Sequence, residues 1–402
     1  MTNKTVLIIS AVFPPEPLTS SRMNFDLAKA LSEEFMVTVL RPAPSRPIGS
    51  NYEGFSKDEI INRIRIVTLD SYTCPESRLI GRIKESIAFS KACIKYIQKS
   101  GEEYDFVYND AWQFMGLYMV ARYCKRNKVP YIVPIQDVYP ESLLTHLKLP
   151  SLLQRVVLKT LIPVDKYYQK NAVSVRTITS EMADYLSSTR QIPRNRYLVV
   201  HNWQEAPERI YEEPENYKTV FAYFGSVNEH ANVELIIRSF IALNSKDAEL
   251  WIYGSGNRLD ACKRIAKMNN SSTVIFGEFT PESMYELQSK ADVLVLALPS
   301  GNGTLALPSK LSSYLFSGKP VLASVDAGCS VDGIIRKNNC GKSVLPEDEK
   351  GLTDGFSYFI HIDAPTRKEM GQRGRDFAYK HLAKDLNLEI VVKAIKETIT
   401  QS

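Results

Sequence analysis

The chain reads as short apolar runs separated by stretches of helical period. Residues 5–11 carry Val, Leu and Ile with almost no polar interruption, the signature of a strand buried on both faces. The turn Phe13-Pro14-Pro15-Glu16-Pro17 ends that run, and Met23, Leu27, Ala30 and Leu31 then recur at helical spacing, predicting an amphipathic helix over residues 20–32. Further strands are predicted at 36–40, 64–69, 105–108, 131–135, 173–178 and 197–200, most of them separated by helical patterns. Residues 202–217 have no period and hold two prolines and five glutamates, so they read as a linker. The alternation restarts at 219–224, 249–253, 273–276, 292–298 and 320–323, and residues 364–400 are helical with no strand after them. Such alternation makes parallel sheets with helices on both faces. The fold class is therefore α/β, with two doubly wound domains and ligands expected outside the carboxyl ends of the strands.

The most informative stretch is 291–323. A buried strand (293–298) runs into Pro299-Ser300-Gly301-Asn302-Gly303-Thr304, Pro308 or Ser309 opens a helix, and that helix stops at Gly318 before Lys319-Pro320 and a second strand. Strand, glycine turn and helix N-terminus together gather backbone N–H groups that suit a phosphate. Lys310 sits in the first helical turn, where the helix dipole favours an acid, which points to a negative ligand; an ordinary βαβ turn with a solvated lysine is the alternative. Two more glycine turns follow strands, at Gly225-Ser226 and Gly254-Ser255-Gly256, and neither GxG, at 254–256 or at 301–303, continues into a full dinucleotide fingerprint.

Composition narrows the class. At 402 residues, 44% hydrophobic and 24% charged, the chain is globular and long enough for two domains. Six dispersed cysteines form no CxxC pair and no two histidines stand four apart, so no metal site and no cofactor are expected, and thiols of this kind suit a reducing cytoplasm. No signal peptide and no run of transmembrane length is apparent. Charge is uneven: residues 1–200 hold 27 Lys and Arg against 19 Asp and Glu, while the remainder holds 23 against 26. Two amphipathic basic segments lie in the first half. Residues 79–99 carry Ile80, Ile83, Ile87, Ile94 and Ile97 among Arg78, Arg82, Lys84, Lys91, Lys95 and Lys99; residues 151–170 carry Leu152, Leu153, Val156, Val157 and Leu161 among Arg155, Lys159, Lys166 and Lys170. They could rest on an anionic membrane surface or be core-facing helices with solvated basic faces. No nucleic-acid motif is visible, and none is expected as partner.

The order of several motifs resembles family 4 glycosyltransferases of the GT-B fold, in the bacterial surface-polysaccharide branch with colanic-acid and N-acetylfucosamine transferases. The motifs are Phe13-Pro14-Pro15-Glu16-Pro17, Gln136-Asp137-Val138-Tyr139-Pro140-Glu141, His201-Asn202-Trp203, Phe224-Gly225-Ser226, Ile252-Tyr253-Gly254-Ser255-Gly256, and Pro308-Ser309-Lys310-Leu311 with Tyr314 and Gly318-Lys319-Pro320-Val321. The resemblance implies two Rossmann-like domains facing each other across a cleft: an acceptor domain (1–201, rejoined by the packing back of 382–402) and a donor domain (218–381). It implies retaining, metal-independent transfer from a nucleotide-diphosphate sugar, a UDP-sugar, to a glycan or lipid-linked acceptor in polysaccharide synthesis, at the cytoplasmic face of the inner membrane. The donor set on this reading is Gly225, Ser226, Tyr253, Gly254, Phe279, Ser300, Gly303, Thr304, Leu305, Ser309, Lys310 and Ser313, with Ser313 or Tyr314 reaching the ribose. The acceptor set is Glu16, Arg22 and Gln136. Asp137 and Glu141 would orient the acceptor or assist as general base, or else cap a helix. The chain departs from the family pattern: Ser226 and Ala231 replace an Arg and a Lys, Leu305 and Ser313 replace two glutamates eight apart, and Gln136 replaces a His. Those departures leave open a catalytically weak sugar-nucleotide-binding scaffold of an assembly complex; a GT-B sugar-nucleotide epimerase is the other alternative, although its cluster of carboxylates and histidines is lacking.

Overall fold

The structure is a computed structural model that describes the chain except residues 1–3, 48–49, 53–54, 76–77, 147–149, 210, 212–216, 302–306 and 402. It divides into two compact units, residues 1–202 with 388–402, and residues 203–387.

In the first unit the strands are β1 (Thr5–Ser10), β2 (Met36–Pro42), β3 (Asp58–Ile61), β4 (Ile64–Leu69), β5 (Phe106–Asp110), β6 (Tyr131–Ile135), β7 (Ser174–Thr177) and β8 (Tyr197–Val199). They form one sheet in the order β3-β4-β2-β1-β5-β6-β7-β8, parallel apart from the β3–β4 hairpin. The helices are α1 (Thr19–Leu31), α2 (Leu79–Ser100), α3 (Met115–Asn127), α4 (Glu141–His146), α5 (Ser151–Asn171) and α6 (Ser180–Arg190). β1 and β5 are buried along nearly their whole length, as their unbroken apolar runs require. The sequence pattern misses β3: Asp-Glu-Ile-Ile lies at the sheet edge, mostly exposed, so neither alternation nor an apolar run marks it.

α2 and α5 are nearly twice as long as the strands they accompany, about 33 and 31 Å against roughly 17 Å. Their excess length is not buried. The first buried residue of α2 is Glu85 and the first of α5 is Asp165, so Leu79, Ile80, Ile83, Leu152, Leu153 and Val156 stand exposed among Arg78, Arg82, Lys84, Arg155 and Lys159.

In the second unit β9 (Thr219–Phe224), β10 (Ala248–Tyr253), β11 (Val274–Gly277), β12 (Val293–Ala297), β13 (Val321–Ser324) and β14 (Gly341–Val344) form an all-parallel sheet in the order β11-β10-β9-β12-β13-β14. Helices α7 (Val233–Ala242), α8 (Leu259–Met268) and α12 (Glu349–His361) pack with one core, which contains Phe221, Phe240 and Phe356 in edge-to-face contact. Of the remaining helices, α9 (Met284–Ser289), α10 (Ser309–Ser317), α11 (Ser330–Asn338) and α13 (Ala364–His381), α10 brings Leu311, Tyr314 and Leu315 into the other core. α10 begins after Pro308 in an extended conformation and stops at Gly318, whose left-handed φ of 72° suits glycine; Arg375 then donates to the C-terminal carbonyls of Phe316 and Ser317. β14 went unread because Gly-Lys-Ser-Val is polar and lies at an edge. The start of the segment read as linker is structured: Gln204 bridges to Ala383, and Tyr285 donates to the carbonyl of Glu205. The last helix, α14 (Lys384–Gln401), gives its residues from 388 onward to the first unit, where Lys396 pairs with Glu34.

Candidate functional site

In the second sheet the strand order reverses between β9 and β12, the position where doubly wound sheets bind ligands. The two strands pair only through Phe221–Val293 and Ala222–Leu294 and then part. α10 fills the gap. The Tyr314 hydroxyl accepts from Phe224 N–H at 2.8 Å and donates to Phe224 C=O at 3.2 Å, replacing the lost ladder bonds. Tyr314 therefore faces the core and holds the tip of β9.

Past that tip the backbones crowd. Gly225 and Gly254 have φ of 132° and 148°, and a Cβ on Gly254 would lie 1.9 Å from the Gly225 carbonyl oxygen. A Cβ on Gly225 would lie 2.4 Å from Lys310 Cε, so the lysine chain runs directly across this glycine. Lys310 Nζ donates to the Tyr223 hydroxyl at 2.5 Å, which in turn donates to Ser226 C=O at 2.6 Å. Among the described residues no carboxylate lies within ion-pair distance of Lys310. Burial alone pulls its ammonium down to about 8, and burial raises the Tyr223 phenol above its usual range. A half-buried ammonium held by a neutral hydroxyl, at a helix N-terminus and a topological switch, is an arrangement that an anionic ligand completes.

The other expected donor residues divide. Ser226, Ser300 and Ser309 are exposed around this edge. Tyr253 stacks on Phe224 with centroids 5.1 Å apart, and Phe279 meets Phe224 edge-on at 5.7 Å, so both form a half-buried aromatic border of the core. Ser313 is buried, donates to Lys310 C=O at 2.9 Å and accepts from Gln288, so it faces the protein interior. Gly303, Thr304 and Leu305 lie outside the described residues. Sequence reasoning missed Asp326, just after β13. Its carboxylate accepts from Gly301 N–H at 2.9 Å and from the Ser300 hydroxyl at 3.3 Å, fixing the start of the glycine turn.

In the first unit Glu16 is buried, and its carboxylate accepts from the backbone N–H groups of Phe13, Ser45 and Arg46 at 3.2, 2.8 and 2.7 Å. Burial raises its pKa and the three N–H groups oppose the rise. Glu16 ties the loop after β1 to the loop after β2, so its carboxylate is engaged by backbone. Glu141 is also engaged. It makes a two-oxygen ion pair with the fully buried Arg190, at 2.5 and 2.7 Å, and accepts from Tyr185. Arg190 also donates to Asp165 at 2.5 Å, Thr189 Oγ1 at 2.9 Å and Tyr139 C=O at 2.7 Å, so all five of its N–H groups are used. Nothing in the local sequence of α6 marks Arg190, because its carboxylate partners and the Tyr139 carbonyl are 25 to 51 positions away. It fixes the turn that carries Gln136, half-buried, and Asp137, exposed at the carboxyl edge. Arg22 is exposed near the start of α1.

Asp110, at the end of β5, is a further group that the sequence pattern did not single out. Asn24 donates to it at 2.6 Å and to Ser10 at 2.8 Å. Burial pushes its carboxyl up to about 7, against the Asn24 bond and the Arg176 charge. Among the described residues no three His, Cys, Asp or Glu side chains converge as a metal site would, and no helix is long and apolar enough to cross a membrane.

No family model matches the chain. The probable glycosyltransferase WbjE of Pseudomonas aeruginosa is 21% identical over 286 residues, 68% of this chain and 69% of that protein. Among solved structures, sucrose-phosphate synthase from Thermosynechococcus elongatus superposes with a TM-score of 0.74 at 14% identity over the whole of both chains. Anabaena HepE in complex with UDP and glucose gives 0.68 at 12% identity, again over both whole chains. WaaG, a glycosyltransferase involved in lipopolysaccharide biosynthesis, gives 0.66 at 14% identity over 97% of this chain and 99% of that one. With two Rossmann-like sheets ordered as described and these neighbours in structure, the chain has the GT-B fold.

Proposed function

We propose that the protein is a retaining glycosyltransferase that moves a sugar from a UDP-sugar to a glycan or lipid-linked acceptor in bacterial surface-polysaccharide synthesis. The observation that carries this reading is Lys310: a partly desolvated ammonium without a carboxylate partner among the described residues, laid across Gly225 at the switch point of the second sheet. A sugar nucleotide leaves as a diphosphate, and Lys310 with the N-terminus of α10 would compensate the charge that develops on it, without a metal ion. The sequence likeness to WbjE and the UDP held by HepE support a nucleotide-sugar donor. Tyr253 and Phe279 would border the base or sugar, and Asp326 would keep Ser300 and Gly301 in place beneath it. In the first unit Asp137, exposed at the carboxyl edge, would orient the acceptor hydroxyl.

The exposed apolar residues at the starts of α2 and α5, set among arginines and lysines, support contact with an anionic membrane surface.

The test is donor binding and turnover. UDP and a panel of UDP-sugars should raise the thermal midpoint, as any ligand of the folded state does, and one sugar should be released slowly as UDP and free sugar without acceptor. Lys310→Ala should weaken UDP binding by about 1.5–3 kcal/mol, the worth of a charge-assisted bond. Unchanged affinity sinks the diphosphate role of Lys310. Tight donor binding without turnover across lipid-linked acceptors favours the scaffold.

A further inference from the structure

The first sheet has a switch point of its own, between β1 and β5, and the residues of the loop after β5 have no part in the function proposed above. Trp112 lies in that loop. The hydroxyl of Ser86, buried on α2, fixes the loop by accepting Gly116 N–H at 2.7 Å and standing 3.3 Å from the carbonyls of Trp112 and Gln113. Two guanidinium groups lie over the indole: Arg46, from the loop after β2, at 5.3 Å, and Arg82, from α2, at 5.6 Å. Both bind the buried carboxylate of Glu85, Arg46 at 2.7 Å to each oxygen and Arg82 at 3.1 Å. One carboxylate therefore serves two cations, while the nearby Glu16 is spent on backbone N–H groups.

Polar atoms here lack partners. Arg46 is only 5% exposed, yet its Nε is buried with no hydrogen-bond partner among the described residues, as are Trp112 Nε1 and Gln113 Oε1. Arg82 keeps about a third of its side chain in solvent and makes one hydrogen bond among the described residues, to Glu85. It also lies near the turn that carries Asp137, because the Tyr139 phenol, raised first by burial, feels the charges of both Asp137 and Arg82. Around it at the start of α2, Leu79, Ile80 and Ile83 are exposed, Ile80 by 70%.

We infer that Arg82 and Trp112, backed by the buried Arg46–Glu85 pair, form a site for the phosphate or diphosphate ester of an acceptor that also carries a hydrocarbon chain. A guanidinium matches phosphate oxygens in two-point geometry, the indole beneath it holds the Arg82 guanidinium in place, and the apolar start of α2 takes the hydrocarbon. This rests on the first unit being the acceptor side of a transferase, and it names the acceptor as a lipid-linked sugar phosphate or diphosphate rather than a free glycan.

The probe is farnesyl diphosphate, titrated against the full chain with saturating UDP so that the Lys310 site is filled. Farnesyl diphosphate should bind at least tenfold more tightly than inorganic diphosphate or farnesol. Arg82→Gln should weaken it tenfold or more and Ile80→Ser severalfold, with UDP affinity unchanged in both variants. Both residues are at least partly exposed, so folding should survive, and an unchanged thermal midpoint checks it. Equal affinity of Arg82→Gln and the unaltered protein overturns the inference. So does a loss confined to anionic vesicles with farnesyl diphosphate binding intact, which would make Arg82 a general membrane contact. Failure of the unaltered protein to bind UDP would instead overturn the donor reading, so the two failures are distinguishable.

Discussion

Lys310 shows how one residue type changes meaning with its surroundings. A lysine in the first turn of a helix is unremarkable at a solvated surface; here its chain crosses Gly225, its ammonium ends on a neutral phenol, and burial depresses its pKa to about 8. The sign of the resulting pH dependence is fixed. In the empty site the proton leaves near pH 8, whereas a bound diphosphate favours the charged form and holds the proton. UDP binding should therefore take up a proton near and above pH 8, and affinity should fall as pH rises from 7 to 9. Over that range the ligand adds little slope of its own, since its terminal phosphate ionises near pH 6 and the uracil imide only above about pH 9. Lys310→Arg, charged throughout, should flatten the profile. Calorimetric titration in buffers of different ionisation enthalpy reads both, and an affinity independent of pH in the unaltered protein would remove Lys310 from the site. Asp110 is the opposite case: a buried carboxyl near 7 has its pKa raised, so its contribution to stability is present below the ordinary carboxylate range and lost as pH climbs toward 7.

At the scale of elements, the loops at the carboxyl edges are held by side chains from elsewhere in each unit. Tyr314 of α10 takes over the hydrogen bonds of β9, Asp326 after β13 fixes the turn after β12, and Arg190 of α6 fixes the turn after β6. The Arg190 network is fully satisfied, so removing its centre leaves Asp165 and Glu141 charged without their cation. Arg190→Met should cost about 3–5 kcal/mol in urea unfolding, and adding Asp165→Asn with Glu141→Gln should recover a large part of it. A loss below about 1 kcal/mol for Arg190→Met would show that the turn is held by other contacts. Glu141 was legible as an acid beside the expected site. That it is structural was not legible, because Arg190 comes 49 residues later and the pairing exists only after α4 and α6 pack.

For the whole molecule, the basic bias of the first 200 residues acquires a location. The charge lies with exposed Leu and Ile on the parts of α2 and α5 that outrun the sheet, and both helices pack against α3. The protein should sediment with phosphatidylglycerol vesicles at low salt and much less with phosphatidylcholine vesicles, and high salt should release it. Ile80→Ser combined with Leu152→Ser should weaken that binding even at low salt, since each removes an exposed apolar contact. Absence of binding to anionic vesicles would refute membrane contact through this surface.

Most of the strands and the double winding were determined by the sequence alone, because a parallel strand buried on both faces must be an unbroken apolar run and a crossover helix must repeat near 3.6 residues. So was Lys310, whose position after a glycine turn is a local pattern. The edge strands β3 and β14 were not, since edge strands need no apolar face. Nor were the inward turn of Ser313 and Tyr314, the commitment of Glu16 and Glu141 to structural bonds, or the gathering of Arg46, Arg82 and Trp112. Those depend on which face of a helix meets which loop, and on partners that only the folded sheet edge brings within hydrogen-bonding distance.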